Sequence, residues 1–114
     1  MITKSKANEI IDKIAMNYKP NQILLFGSFA NGNHNKDSDL DLFIIKNTVK
    51  SPFNRTKEVY KLLRGSKVPV DVFVYTQEEF DKYKEIPSTV ENEVFKRGKI
   101  VYMELTKKQV IKEW

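Results

Sequence analysis

Three aspartates are the residues of this sequence best suited to chemistry. Asp39 and Asp41 are separated by one residue and each precedes a leucine, while Asp71 lies between two valines. Side chains on a strand alternate in direction, so Asp39 and Asp41 would share the face opposite to Leu40 and Leu42. Two neighbouring carboxylates repel each other and cannot be buried unless their charge is neutralised. That face should therefore bind a cation or be open to water.

A divalent cation would neutralise such a pair. Mg²⁺ prefers oxygen ligands and usually takes one or two carboxylates, with waters and substrate phosphates completing its shell. Two such ions can clamp an in-line phosphoryl displacement, an arrangement that usually includes a third carboxylate. Asp71 can provide it if its strand lies beside that of Asp41, either as a metal ligand or as the base for an attacking hydroxyl.

Gly27 and Ser28 indicate a phosphate site. An apolar strand ends at this point, and a short helical turn over residues 28–31 is predicted to follow. Backbone N–H groups at a helix start, with a serine hydroxyl beside them, suit a polyphosphate. Gly27 would let the phosphates approach the backbone closely. Gly32 can end the turn, and residues 33–38 indicate a polar surface loop.

Each signal alone has a more common explanation, a turn for Gly-Ser and a solvated edge for Asp-x-Asp. A calcium-binding loop is excluded, because Leu42 and Thr48 occupy the positions where that loop requires Gly and Glu. A sugar-nucleotide Asp-x-Asp enzyme would normally need a much larger fold. His34 is interpreted as a loop residue that could contact a substrate.

Helices are predicted from apolar periodicity and from capping residues. The predicted helices cover residues 4–18 and about 52–63, with further pieces capped by Thr76 with Glu79, by Ser88 with Glu91, and by Thr106 with Gln109. The last piece would end at Trp114, and Gly98 would end the one before it.

Strands are predicted at 23–26, 40–45, 68–75 and 99–104. The link between the first two is too short for a parallel crossover helix, so they should be antiparallel and the sheet mixed. The chain is therefore predicted to be α/β (α+β), with a small mixed sheet of about four strands flanked by helices. One domain over residues 1–114 is expected from the length.

Composition narrows the classes of function. The chain has no cysteine and a single histidine, which excludes disulfides and cysteine- or histidine-rich metal sites. No apolar run could span a membrane, and the N-terminus lacks a secretory pattern, so the cytoplasm is the expected location. The net charge of +5 suits a phosphate-bearing partner, but the lysines are scattered. Nucleic acid is therefore a possible partner that the charge pattern does not indicate.

The stretch Gly27-Ser28-Phe29-Ala30-x-Gly32, followed by Ser38-Asp39-Leu40-Asp41-Leu42, resembles the signature of minimal nucleotidyltransferases in the polymerase-β-like superfamily. Asp71 falls where that family has its third acidic residue, in a strand after an intervening helix. The resemblance covers roughly residues 5–105. It implies the polymerase-β-like nucleotidyltransferase fold, with the active site on one open face of the sheet.

The resemblance also implies a reaction. Asp39 and Asp41 would hold Mg²⁺, as a pair of ions, and Asp71 would complete the catalytic triad. A nucleoside triphosphate, usually ATP, would place its phosphates against Gly27 and Ser28 while an acceptor hydroxyl attacks the α-phosphate. Many minimal members are encoded beside a small helical HEPN ribonuclease and act as antitoxins, some by adding AMP to the toxin. Others resemble the catalytic halves of antibiotic-modifying enzymes.

One position departs from the family pattern. Many relatives carry Arg where this chain has the neutral Asn31, and Lys36 could compensate for that charge. The leading hypothesis is Mg²⁺-dependent transfer of AMP from ATP to a hydroxyl of a partner protein such as a HEPN toxin. The alternatives are a non-catalytic antitoxin that blocks its toxin by steric contact, or an orphan nucleotidyltransferase acting on a small molecule or an RNA end. The sequence leaves a homo-oligomer open.

Overall fold

The structure, a computed structural model, describes residues 2–35 and 38–104, together with the backbone of 108–110. The helices are α1 (Lys4–Tyr18), α2 (Ser28–Asn31), α3 (Pro52–Leu62), α4 (Gln77–Tyr83) and α5 (Val90–Arg97). The strands are β1 (Gln22–Phe26), β2 (Leu40–Ile45), β3 (Val70–Tyr75), β4 (Lys99–Glu104) and β5 (Lys108–Val110). No helix in these ranges is long and apolar enough to cross a membrane.

The strands form one sheet in the order β3-β2-β1-β4-β5. β1 is antiparallel to β2 and β4, and β4 to β5, whereas β2 and β3 are parallel. The parallel pair is joined through α3, which supplies the long crossover that parallel neighbours require. The predictions of a mixed sheet and of an antiparallel first pair are confirmed.

The predicted C-terminal helical piece is wrong where the structure describes it. Residues 108–110 form β5 and pair with β4, with Glu104 opposite Lys108. An uncovered edge of β4 would leave unpaired N–H and C=O groups, and strand pairing satisfies them in place of local helix formation. The proposed cap at Thr106 and the end at Trp114 lie outside the described residues.

Both faces of the sheet carry apolar cores. On the first face, α1 and α3 cover Leu25, Leu42 and Ile44 as part of the larger cluster, called here the first core. On the opposite face, Phe43 and Ile45 belong to a second core that includes Phe80 of α4 and Val94 of α5, among other residues. The face expected to be open is therefore covered along part of β2, and its uncovered part lies at the aspartate end of the strand.

The helix caps explain where most helices begin. Thr76 and Glu79 form the predicted capping box of α4 through bonds of 3.1 Å and 2.8 Å. The predicted box at Ser88 is wrong, because Ser88 has a left-handed backbone (φ 72°) and the Thr89 hydroxyl accepts from Asn92 N–H instead. Thr89 is therefore the N-cap, and α5 begins one residue later than it would if Ser88 were the N-cap.

An ion pair with a buried guanidinium and a partly exposed carboxylate links α3 to α4. The Arg55 guanidinium is 5% exposed and donates to both oxygens of Glu79, at 2.8 Å and 3.4 Å. Its Nε also donates to the Lys50 carbonyl at 2.8 Å. The same Glu79 carboxylate holds the cap of α4, so one acidic side chain fixes both helices.

Candidate active site

Two of the three aspartates meet across the parallel strand pair. Asp41 of β2 lies directly opposite Asp71 of β3, and the two carboxyl groups are hydrogen-bonded to each other. Asp39 precedes β2, is exposed, and lies close enough for its charge to act on Asp41. The structure therefore brings all three predicted acidic residues to one end of the sheet, beyond the second core.

The environment of Asp41 disfavours its charged form. The pKa of Asp41 is raised from 3.8 to about 6, first by burial, then by the negative charges of Asp71 and Asp39, and by the hydrogen bond with Asp71. A cation near this carboxylate would reverse both charge effects, because an opposite charge favours the ionised form. A positive charge at this site would therefore stabilise the ionised form of Asp41.

Gly27 is packed directly against Asp41. Its neighbour Phe26 is the β1 residue opposite Asp41, and Gly27 itself has φ 71°. A Cβ atom built on Gly27 would collide with Asp41 Oδ2. The absence of a side chain was predicted to admit a phosphate, and the close approach that the structure contains is to the carboxylate. Gly27 therefore sets the distance between the start of α2 and the acidic residues.

The short helix α2 forms where the sequence predicts it. Asn31 N–H donates to the Gly27 carbonyl at 3.2 Å, and Asn33 N–H donates to the Ser28 carbonyl at 3.0 Å. Gly32 follows with φ 73° and ends the turn. Ser28, half-buried at the first helical position, is thus placed one residue from the Gly27–Asp41 contact.

The other residues considered from sequence lie elsewhere. Asn31 is exposed on α2, and Lys36 is outside the described residues. The His34 ring stacks on Phe29 with centroids 4.2 Å apart and planes 9° apart. Phe29 belongs to the first core, so His34 packs away from the aspartates.

Sequence reasoning missed Tyr60, which supports the strand that carries Asp71. The Tyr60 hydroxyl, on α3, accepts a hydrogen bond of 3.0 Å from Val72 N–H. Within the described sheet β3 has a neighbour on one side only, so its outward N–H groups need partners from elsewhere. Nothing in the sequence signals this bond, since a tyrosine in an amphipathic helix is equally suited to the core.

The donor set fits Mg²⁺, although the described part of the chain contains no preformed cage. Within residues 2–35 and 38–104, no three acidic, histidine or cysteine side chains are arranged to hold a metal ion by themselves. Asp41 and Asp71 nevertheless touch, and Asp39 is near. Mg²⁺ commonly takes one or two carboxylates and completes its shell with water and substrate phosphate, so the pair and its neighbour suffice as protein ligands.

Comparisons with known proteins agree with this geometry. A family model described as a nucleotidyltransferase domain matches residues 7–100. No curated protein matches the chain significantly. Among solved structures, a candidate nucleotidyltransferase from Sulfolobus solfataricus aligns at a TM-score of 0.64 and 22% identity, covering 93% of this chain and 85% of that chain.

Two toxin–antitoxin structures also share the fold. One contains AMP-PNP and aligns at a TM-score of 0.61 and 23% identity, covering 92% of this chain and 77% of that chain. The other is a variant of the toxin–antitoxin MntA–HpeT, with a TM-score of 0.61, 19% identity and the same two coverages of 92% and 77%. These likenesses concern the fold, whereas the family match covers most of the sequence. The chain therefore belongs to the nucleotidyltransferase domain family, and it is a nucleotidyltransferase.

Proposed function

We propose that this protein transfers AMP from ATP to a hydroxyl group in a Mg²⁺-dependent reaction. The observation that carries the proposal is the contact of Asp41 with Asp71 directly beside Gly27. It joins a cation-requiring carboxylate pair to the start of α2, where phosphates can meet backbone N–H groups. Family membership supports nucleotidyl transfer in general, and the identity of metal and nucleotide is our inference.

Each residue has a distinct role in this proposal. Asp39 and Asp41 would hold Mg²⁺, as a pair of ions, and Gly27 and Ser28 would contact the phosphates of the nucleotide. Bound Mg²⁺ would supply charge neutralisation at the phosphates and at the leaving group. Asp71 completes the ligand set or accepts the proton of the acceptor hydroxyl. Its exposure at the open end of the sheet supports a position facing the acceptor.

The bond changes balance without a further reactant. The acceptor oxygen forms a bond to the α-phosphorus, and the bond from that phosphorus to the bridging oxygen of the β-phosphate breaks. Pyrophosphate leaves with the electron pair of the broken bond. The acceptor proton goes to a carboxylate, for which Asp71, exposed and directly opposite Asp41, is the candidate.

We place the acceptor hydroxyl on a partner protein, a helical toxin of the HEPN type. Two structures with the same fold are toxin–antitoxin complexes, and one of them contains AMP-PNP. We place the reaction in the cytoplasm, where ATP and Mg²⁺ are both available.

A transfer assay tests the proposal. The protein is incubated with ATP labelled at the α-phosphate, Mg²⁺ and the product of the adjacent gene, and labelled partner is measured. Label should appear with the natural chain and be lost in Asp39→Asn/Asp41→Asn, whereas the control Asp81→Asn, at an exposed position of α4, should transfer normally. Transfer that persists in the double variant would reject the assignment of the site.

A second candidate function is neutralisation of a toxin by steric contact alone. The neutral, exposed Asn31 at the position of the family arginine favours it, because a triphosphate would be held less strongly there. In that case Asp39→Asn/Asp41→Asn should still protect cells from the toxin. Loss of protection by a double variant that still binds its partner would exclude this candidate.

A further inference from the structure

A cavity lies on the side of the sheet that faces away from the aspartates. It has a volume of about 320 Å³ and is lined by Lys4, Phe29, Gly32, His34 and Lys99. That volume is at the lower end of the range for small-molecule sites. Among the residues that the structure describes, the lining combines two ammonium groups and an imidazole with an aromatic wall and includes no acidic side chain.

Strand register places this cavity and the aspartates on opposite faces. Lys99 of β4 lies opposite Leu25 of β1, so their side chains share the face of the first core. The next β1 residue, Phe26, lies opposite Asp41 and packs in the second core. A ligand in the cavity would therefore be separated from the proposed nucleotide site by the sheet.

His34, whose imidazole lines this cavity, has a ring nitrogen without a hydrogen-bond partner among the described residues. That nitrogen, Nδ1, is also closed to water. A buried polar atom without a partner is costly. Turning the ring over about its Cβ–Cγ bond would keep the flat stack on Phe29 and exchange the positions of Nδ1 and Cδ2. Either ring nitrogen of an imidazole can donate an N–H to a ligand oxygen.

We propose that this cavity binds a small phosphate-bearing anion at a site distinct from the acidic one. Ammonium groups bind phosphate as point charges, and an imidazole N–H adds a directional donor. Pyrophosphate and a mononucleotide share this chemistry. They differ in whether an apolar part can contact the wall formed by Phe29 and His34, and the experiment distinguishes them.

Another lysine-rich surface competes for the same class of ligand. Lys50, Lys57 and Lys61 line a depression of about 270 Å³ along α3. That surface also contains Glu58, which is paired with Lys50 and repels an anion. The α3 surface is therefore the weaker phosphate site and serves as the matched comparison.

Binding is measured by calorimetry on the Asp39→Asn/Asp41→Asn chain without Mg²⁺, so that the acidic site is inactive. Pyrophosphate and AMP are the two probes. Each should bind with a one-to-one stoichiometry, and Lys99→Gln should weaken the binding about tenfold or more, as expected for the loss of a charge-assisted hydrogen bond. Lys99→Arg should retain most of the affinity, and Lys57→Gln on α3 should leave it unchanged. Tighter binding of AMP would show that the aromatic wall contributes.

His34 gives a direct readout because it is the only histidine in the chain. Its ring signals in an NMR titration of the untagged chain at constant pH should shift saturably with either probe, and in Lys99→Gln the same shift should need about ten times more probe or more. The proposal is overturned if neither probe binds, if the ring signals stay fixed while a probe binds, or if Lys57→Gln abolishes the binding that Lys99→Gln retains. These results do not depend on whether the chain transfers AMP.

Discussion

Replacing Asp41 by asparagine should stabilise the protein in the absence of a divalent cation. The Asp41 carboxyl is half-buried, touches Asp71 and is repelled by the charge of Asp39. Asparagine has nearly the same shape, carries no charge, and can donate a hydrogen bond from its amide to the remaining Asp71 carboxylate. The substitution should therefore remove a repulsion without creating a cavity.

The size of this effect follows from the pKa of Asp41, which is raised from 3.8 to about 6. Each pKa unit is worth about 1.4 kcal/mol, so complete ionisation would cost the folded state at most about 3 kcal/mol. The carboxyl is partly exposed and screened by water, which reduces the expected gain of Asp41→Asn to about 1–2 kcal/mol near neutral pH.

The pH dependence has a definite sign. Because the folded pKa lies above the unfolded one, Asp41 does not weaken folding below about pH 4, where it is protonated in both states. The loss of stability develops as the pH rises from 3.8, the unfolded pKa, and is complete once the pH has passed the folded pKa of about 6. The difference in unfolding free energy between Asp41→Asn and the natural chain should therefore be large at neutral pH and small near pH 4.

Urea unfolding with EDTA at both pH values measures this difference. Saturating Mg²⁺ should stabilise the natural chain and have little effect on Asp41→Asn, because ligand binding to the folded state adds to its stability. Asp81→Asn is the control, since neighbouring Gln77 and Lys84 lower the pKa of Asp81 and its neutralisation should not stabilise. A destabilised Asp41→Asn at neutral pH without metal, or a gain that does not change with pH, would refute the electrostatic reasoning.

Three other substitutions, one with a matched control, test how the site and its supports are built. Gly27→Ala should lose stability and Mg²⁺-dependent stabilisation, whereas Gly32→Ala, with a similar φ and nothing within 4 Å of its Cβ, should lose only stability, as thermal shifts with and without Mg²⁺ would show. Glu79→Gln should cost about 2–4 kcal/mol in urea unfolding because it leaves Arg55 charged and buried. A cost below that of an exposed ion pair would contradict this. Tyr60→Phe should lower the free energy of unfolding by about 1 kcal/mol and speed hydrogen exchange at the Val72 amide, whose hydrogen bond the hydroxyl accepts. Unchanged exchange would show that the bond is unimportant.

The strand that carries Asp41 could be predicted from sequence because its information is local. Alternation placed the leucines on one face, and the short link from Ser28 required an antiparallel pair. The position of Asp71 opposite Asp41 could not be predicted with the same force. It depends on α3 returning the chain to the free side of β2, which is a choice among neighbours that only the packed core decides.

The second core and β5 show what local patterns miss. The alternation of the aspartates suggested an open face, yet residues 42–45 are buried on both faces of the sheet. The open face lies at the aspartate end of β2, and the covered face lies along the rest of the strand. Residues 108–110 carry a helix-cap pattern, but the uncovered edge of β4 determines their conformation, and that edge exists only in the folded sheet.

The bond between the Tyr60 hydroxyl and Val72 N–H has a mechanical consequence. β3 is fastened to β2 on one side and to α3 on the other, and Asp71 is the residue immediately before the α3 attachment. A displacement of α3 would therefore be carried into the spacing between the Asp71 and Asp41 carboxylates. Phe53 is largely exposed on the same helix. A protein that bound this outer surface and displaced α3 would therefore move Asp71, while Asp41 would stay fixed in the centre of the sheet.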